Sequence, residues 1–278
     1  MTASLTDSSA AAEAPPAIVV EKLVCGYDGA EVLHGVSLTV GVGQFFGLVG
    51  PNGSGKTTLL RALAGIVRPS GGAISILGRA LGALSPRALA RTVAVVPQVS
   101  EATFAFTVEE IVAMGRHPHL GRLQSQSPSD RAAIEQALRV TGLSEMRDRL
   151  VTEISGGERQ MAVIARALAQ QASVLLLDEA TSQLDLAHQR DVLALLLHLN
   201  RERQTTMVMV SHDLNLAAAH CDTMAVLAGG RLHRVGPPAD IVTAETIAEV
   251  YHVDAHVAPH PVTGDPYLYV LPRQGRRV

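Results

Sequence analysis

The chain has 278 residues, 47% of them hydrophobic and 18% charged, with a formal net charge of −3. That balance describes a well-cored protein with room for one large α/β domain or two small ones, and excludes a disordered chain. It leaves no electrostatic case for nucleic acid or anionic lipid as the main partner, and two cysteines, Cys25 and Cys221, without C-x-x-C spacing suit a reduced cytosolic compartment.

Residues 1–17 are rich in Ala, Ser and Thr and carry no basic residue, so they are predicted to be a flexible tail and neither a secretory signal nor a transit peptide. Folding is expected to begin near Ile18, with Ile18-Val19-Val20 as a strand. Val36, Leu38 and Val40 alternate with Ser37 and Thr39, which predicts a second strand exposed on one face. Gly41-Val42-Gly43 turns the chain into Phe45–Val49, a continuous apolar run that reads as a buried strand.

Gly50-Pro51-Asn52-Gly53-Ser54-Gly55-Lys56-Thr57-Thr58 follows at once and fits the pattern G-x-x-x-x-G-K-[ST]. Its glycines let backbone N–H groups converge on an oxyanion, while Lys56 is placed to reach the β- and γ-phosphates and the Thr57 hydroxyl to hold Mg²⁺. Lys22 and Lys56 are the only lysines in the chain, which argues against an incidental Gly-rich turn. A nucleoside triphosphate is expected here, at the N-terminus of a helix continuing through Leu59–Ala64.

Beyond that helix, Pro69-Ser70-Gly71-Gly72 reads as a turn, Ala73–Leu77 as a strand, Ser85-Pro86-Arg87 as a helix start and Val93–Val96 as a strand ending at Pro97-Gln98. From about 99 to 172 helix signals replace strands. Thr107-x-x-Glu110 is a capping box for a helix that stops at Gly115. Asp130 is expected to cap a second helix, with Ile134, Ala137, Leu138 and Thr141 on one face and its end at Gly142. Ser155-x-x-Glu158 opens a third, with Met161, Ile164, Ala165 and Leu168 in register. A strand at Val174–Leu177, a helix near His188–Arg201, a strand at Met207–Val210, a helix from Asp213 and a hairpin of Thr223–Leu227 with Arg231–Val235 complete the core. The reading is an α/β fold with a mostly parallel sheet, a small antiparallel β part and an inserted helical subdomain. No apolar run reaches the roughly 20 residues that a membrane span needs.

Asp178-Glu179 directly follow the strand Val174–Leu177. An acid at this strand end is placed to contact Mg²⁺, and the next, Glu179, to polarise water for attack on the γ-phosphate. Ser155, Gly156 and Gly157 offer a hydroxyl and bare N–H groups at the positive end of a helix dipole, the physics of a second anion site.

Together these motifs resemble the ATP-binding subunit of an ABC transporter. The phosphate loop, Ile154-Ser155-Gly156-Gly157-Glu158, Leu176-Leu177-Asp178-Glu179, Ser182-Gln183-Leu184-Asp185 and Ser211-His212-Asp213 stand in the family's order, from about Ile18 to Leu271. The resemblance implies a P-loop NTPase domain over 18–255, with its helical subdomain at about 99–172 and a C-terminal extension over 256–278. It implies that Tyr27 stacks on adenine, that Gln98 ligands Mg²⁺ or the attacking water and couples to the membrane partner, that His212 contacts the γ-phosphate, and that Asp185 lies in a loop crossing a dimer interface. Two copies would pack head to tail, each ATP lying between one phosphate loop and the other copy's Ser155-Gly156-Gly157-Glu158. Such a homodimer would sit beneath two permease subunits on the cytoplasmic face of the cell membrane and be served by a substrate-binding protein. Ala180 in place of the frequent Pro, and Glu158 in place of the usual Gln, remove no phosphate-contacting group.

Thr107–Pro118, Leu184-Asp185-Leu186-Ala187-His188-Gln189 and His260-Pro261-Val262-Thr263-Gly264 resemble the importers of iron chelates within that family. Ferric siderophore is the expected cargo, with cobalamin or haem as alternatives; a soluble ABC-type ATPase without a permease is a further one, disfavoured by the single cassette and the lack of heptads. His252, His256 and His260 recur every four residues, but Pro259, Val253 and Val257 argue against the helix that would gather them round a metal. His117, His119, Arg116 and Arg122 are expected at the surface, near the permease contact, the arginines as solvated loop charges.

Overall fold

The computed structural model describes residues 16–98, 105–121, 124–182 and 184–272. The expected tail up to Pro15 therefore lies outside the described residues, as do Gln183, Arg122, the segment 99–104 and the last six residues of the C-terminal extension, 273–278.

Two long antiparallel strands open the fold, β1 (Pro16–Tyr27) and β2 (Ala30–Gly41). The first begins at Pro16 rather than Ile18, because Ala17 is already fully buried. On β2, Val36, Leu38 and Val40 face inward while Ser37 and Thr39 face out, the alternation its sequence carries. β3 (Phe45–Val49) leads into α1 (Lys56–Leu63), and β4 (Gly71–Ile76) returns to pair with β1, so Gly71 and Gly72 belong to a strand instead of the expected turn. A short β5 (Arg79–Ala80), α2 (Pro86–Thr92) and β6 (Val93–Val96) follow.

The helical part holds α3 (Val108–Ala113), α4 (Pro128–Val140) and α5 (Gly156–Ala169). Val108, Val112, Ile134, Ala137, Leu138, Ala162 and Ala165 meet in a core of their own. The boxes at Thr107/Glu110 and Ser155/Glu158 are both formed. In α4 the cap is Ser127, and Asp130 sits three residues in, its carboxylate accepting the Ser127 N–H at 2.9 Å. The expectation that Asp130 caps the helix is corrected on that point: Ser127-x-x-Asp130 is a third capping box.

Arg116 is corrected more strongly. It is no solvated loop charge but 5% exposed, in the 3₁₀ turn Met114–Arg116 that extends α3. Its Nε donates to Asp130 Oδ1 at 2.9 Å, and its Nη1 to the Ala169 carbonyl at 2.7 Å and to Gln171 Oε1 at 2.9 Å. The guanidinium thus ties three segments of the helical part and closes the C-terminus of α5. The loop beyond is held as well: His119 Nε2 lies 2.8 Å from the Gln170 carbonyl, and Arg87 and Arg91 of α2 each donate to the Pro118 carbonyl at 2.8 Å.

The core sheet resumes with β7 (Val174–Asp178), α6 (Leu186–Arg203), β8 (Thr206–Val210), α7 (Leu214–His220), β9 (Thr223–Ala228) and β10 (Arg231–Gly236). Its strand order is β10-β9-β3-β8-β7-β6, antiparallel only at the β9–β10 hairpin. Both faces are covered. Phe46, Leu48, Leu176 and Val208 pack with β1, β2, β4 and α1, whereas Phe45, Val49, Leu175, Leu177 and Met209 pack with α5, α6 and α7, which is why these strands read as unbroken apolar runs. Cys25 and Cys221 are both buried and unpaired.

After α8 (Pro238–Ile241) and α9 (Ala244–Tyr251), a second hairpin, β11 (Ala255–Pro259) and β12 (Pro266–Val270), lies against α7. The boundary expected after residue 255 falls at the start of this hairpin. His252 ends α9 with φ +57°, His256 lies on β11 and His260 follows it, so the three histidines share no helix. Among the described residues no helix is long and apolar enough to cross a membrane.

Candidate nucleotide site

Strands β3, β7 and β8 are parallel neighbours, and their C-terminal ends carry the phosphate loop, Asp178-Glu179 and Ser211-His212 side by side. Such strand ends are where an open α/β sheet binds ligands. A cleft of about 340 Å³ opens there, lined by Asn52 to Thr58, Glu179, His212 and Val32 of β2.

The loop can curl only because of its glycines. Gly50 has φ +147°, and a Cβ on it would stand 2.1 Å from the Leu227 carbonyl oxygen; no other residue fits. Lys56 is 5% exposed and its ammonium donates to the carbonyls of Gly50 (2.8 Å) and Pro51 (3.0 Å) behind the loop. Burial lowers its pKa, while the charges of Glu179 and Asp178 pull it back up. Among the described residues, Ser54 Oγ is buried with no hydrogen-bond partner, an orphan donor at a loop built to receive oxyanions.

Asp178 stands behind this front row. Burial and the charge of Glu179 raise its pKa, against Arg61 and a hydrogen bond with the Thr57 side chain. Thr57 and Asp178 thus form a paired hydroxyl and carboxylate beside the phosphate loop, the oxygen donor set that a hard divalent cation takes. Glu179 has a backbone feature its sequence does not announce: φ is +51°. For a residue with a Cβ, that left-handed conformation costs roughly 1–2 kcal/mol, and such outliers cluster where function over-determines the backbone. Its N–H donates to the Val210 carbonyl (3.2 Å) on β8. Its carboxylate lies 2.5 Å from His212 Nε2, with the two side chains 15% and 44% exposed, a charge-assisted contact at the mouth of the cleft.

Other expected site residues lie round or away from this cleft. Gln98 is exposed and donates through Nε2 to Ser182 Oγ at 3.2 Å; Ser182 in turn donates to the Glu179 carbonyl at 3.0 Å. That chain leads to the Glu179 backbone instead of to Thr57 or Asp178. Tyr27 is 40% exposed and accepts from Arg61 Nη1 at 3.3 Å. Ser155 and Glu158 cap α5 reciprocally, at 3.2 and 2.7 Å, and neither they nor Gly156 and Gly157 line the cleft. Asp185 caps α6 through the His188 N–H (2.9 Å) and also holds His188 Nδ1 at 2.9 Å. The His188 ring lies on Gly157, where a Cβ would come within 2.1 Å of Cδ2. The signature turn and the Asp185 loop are therefore joined within one chain. Ser182 and His188 lie in the motifs that carry the family resemblance, but their contacts with Gln98 and Gly157 are tertiary, and Val32 of β2 enters the cleft with no sequence signal at all.

The family profile described as ABC transporter matches residues 33–182. The cobalamin import ATP-binding protein BtuD of Halobacterium salinarum is 41% identical over 244 residues, which cover 88% of this chain and 61% of that one. The chain thus spans about three fifths of that relative's length. The iron(3+)-hydroxamate import ATP-binding protein FhuC of Bacillus subtilis is 38% identical, over 88% of this chain and 91% of its own. A solved ABC transporter of metal-chelate type, in an inward-facing conformation, superposes with a TM-score of 0.81 at 30% identity, covering 93% of this chain and 99% of that one. With the phosphate loop, Asp178-Glu179 and His212 gathered at the strand ends and Ser155 heading its own helix, the chain belongs to the ABC transporter family as an ATP-binding subunit.

Proposed function

We propose that the chain hydrolyses ATP, as a homodimer, to energise import of an iron chelate through a permease. The observation that carries this reading is the meeting of Lys56, Glu179 and His212 in one cleft that Ser155 does not reach. Lys56 and the loop N–H groups bind the phosphates. Thr57 and Asp178, and Gln98 once turned from Ser182, would hold Mg²⁺, which supplies charge neutralisation at the β- and γ-phosphates. Glu179 polarises the attacking water, and His212 trades its contact with Glu179 for the γ-phosphate. Tyr27, at the rim, stacks on the adenine.

The Ser155-Gly156-Gly157-Glu158 turn and Asp185 face a second copy, completing its site while the partner completes this one. Ser155→Ala on one subunit of a mixed dimer should slow hydrolysis at the site whose phosphate loop belongs to the other subunit. Tagged heterodimers with Lys56→Ala on either subunit read which site is lost; loss confined to the Ser155→Ala subunit's own loop contradicts the head-to-tail pairing.

A larger cavity, about 1100 Å³, lies away from the nucleotide, between α1, β4, α2 and the Met114–Pro118 turn. With Ile66 67% exposed at its edge, it suits an apolar segment of the permease. Such a contact would put the subunit on the cytoplasmic face of the membrane, with a binding protein delivering cargo to the permease from outside. Ferric siderophore is the cargo proposed, on the likeness to the hydroxamate importer; cobalamin is the second reading, on the likeness to the halobacterial protein. Uptake of labelled ferric hydroxamate, cobalamin and haem in a deletion strain distinguishes them. Wild-type uptake of all three, or failure of the chain to co-purify with a membrane protein, overturns the importer reading in favour of a soluble ATPase.

A further inference from the structure

The C-terminal hairpin grips the helix that follows the γ-phosphate histidine. Asn215 stands in the first turn of α7, just beyond His212 and the capping Asp213. Its Oδ1 accepts the Leu268 N–H at 2.7 Å, and its Nδ2 donates to the Leu268 carbonyl at 3.1 Å. One side-chain amide thus satisfies both backbone groups of a residue on β12, as another strand would. Val257 and Leu268 pack inward against the core that contains Leu214, Ala217 and Ala218. On the hairpin's other face the rings of Tyr267 and Tyr269 meet at a tilt of 52°, with centroids 4.9 Å apart. The preceding helix reaches the same site from another side: the Tyr251 hydroxyl, at the end of α9, faces the Gly50 N–H at the start of the phosphate loop.

His212 has no comparable restraint of its own. It is exposed, and its backbone is held from two sides: by Ser211, whose N–H donates to the Leu48 carbonyl at 3.2 Å and whose hydroxyl accepts the Asp213 N–H at 3.0 Å, and by α7, whose orientation is set by the Asp213 cap at 3.0 Å and by the Asn215 hook. We infer that Asn215 is a positioning residue for His212, with the hairpin β11–β12 as the rigid backing against which the γ-phosphate contact is made. The inference rests on the reading of Glu179 and His212 as the hydrolytic pair. The hairpin then belongs to the catalytic apparatus, although none of its residues touches nucleotide.

The test uses the purified full chain. Asn215→Ala removes both bonds, whereas Asn215→Asp keeps the acceptor for the Leu268 N–H but sets a carboxylate oxygen against the Leu268 carbonyl where the donor stood. Small misplacements of positioned groups carry large rate costs, so Asn215→Ala is expected to lower kcat for ATP hydrolysis about tenfold with KM for ATP unchanged, and Asn215→Asp to lower it as well. Because Asn215 acts through His212, adding Asn215→Ala to His212→Ala should cost nothing further. An unchanged kcat in Asn215→Ala, or a full additional loss in the double variant, overturns the inference while leaving the hydrolytic reading in place. A His212→Ala chain that hydrolyses at the wild-type rate overturns both. Should Asn215→Ala not fold, Asn215→Asp alone and in the His212→Ala background decides by the same criteria.

Discussion

Glu179→Gln is expected to lower steady-state ATP hydrolysis by about 10²- to 10⁴-fold, the usual worth of a positioned general base, while ATP still binds. The substitution conserves shape, and the amide oxygen can still meet His212 Nε2 where the carboxylate now does, at 2.5 Å. The backbone at φ +51° is set by its surroundings, including the bond to the Val210 carbonyl, and Gln is no worse there than Glu. What disappears is the proton acceptor. Two copies that bind ATP without hydrolysing it should accumulate as a closed dimer, seen as an earlier elution peak with ATP and Mg²⁺ than without nucleotide. Wild-type turnover in this variant would remove Glu179 from the chemistry; lost turnover with lost ATP binding would mean the loop had been disturbed instead.

Arg116→Ala is the largest stability effect expected. The Arg116 and Asp130 side chains are 6% and 7% exposed, and removing one partner of a buried ion pair costs about 3–5 kcal/mol because the other charge stays buried. Ala169 and Gln171 also lose their donor. For a chain this size the loss should lower Tm by on the order of 10 °C, measurable by calorimetry or near-UV circular dichroism. A shift within a degree or two would mean that water replaces the guanidinium. Asp130 supplies an acid-side check. Hydrogen bonds from Ser127 chiefly, then Arg116, hold its carboxyl at about 2, below the roughly 3.9 of an unfolded aspartate. A depressed carboxyl stabilises the fold above its unfolded pKa, and that contribution is lost as pH falls through its folded value. Wild type should therefore lose stability between about pH 4 and pH 2 more steeply than Asp130→Asn does.

Local patterns made most of the fold legible. Phe45–Val49, Val174–Leu177 and Met207–Val210 announced themselves as buried strands because both their faces are covered, and the residues just past them are the ones that line or back the cleft. Capping boxes at Thr107 and Ser155 were readable because both partners lie within one turn. The same rule holds for Ser127-Pro128-Ser129-Asp130, where the serine before the proline is the cap and the acid its partner within the first turn. What stayed hidden is non-local. Nothing near Arg116 in the chain points to Ala169 or Gln171, so its charge read as a solvated one. Asn215 reaches Leu268 across 53 positions, and the left-handed backbone of Glu179 is imposed by β8. The grouping of Ser155 with Asp185 through His188 likewise needs α5 and α6 to be packed first.

The two buried thiols have a practical bearing. Cys25 lies wholly inside the core and Cys221 almost so, and burial raises the pKa of both, the charge of Asp222 adding to the rise at Cys221, which suppresses the thiolate that reacts with maleimides and disulfides. The chain is therefore its own cysteine-light background. A single thiol placed at exposed Asn52 or Ser155 can be labelled or cross-linked alone, without first stripping Cys25 and Cys221 from a core that has packed around them.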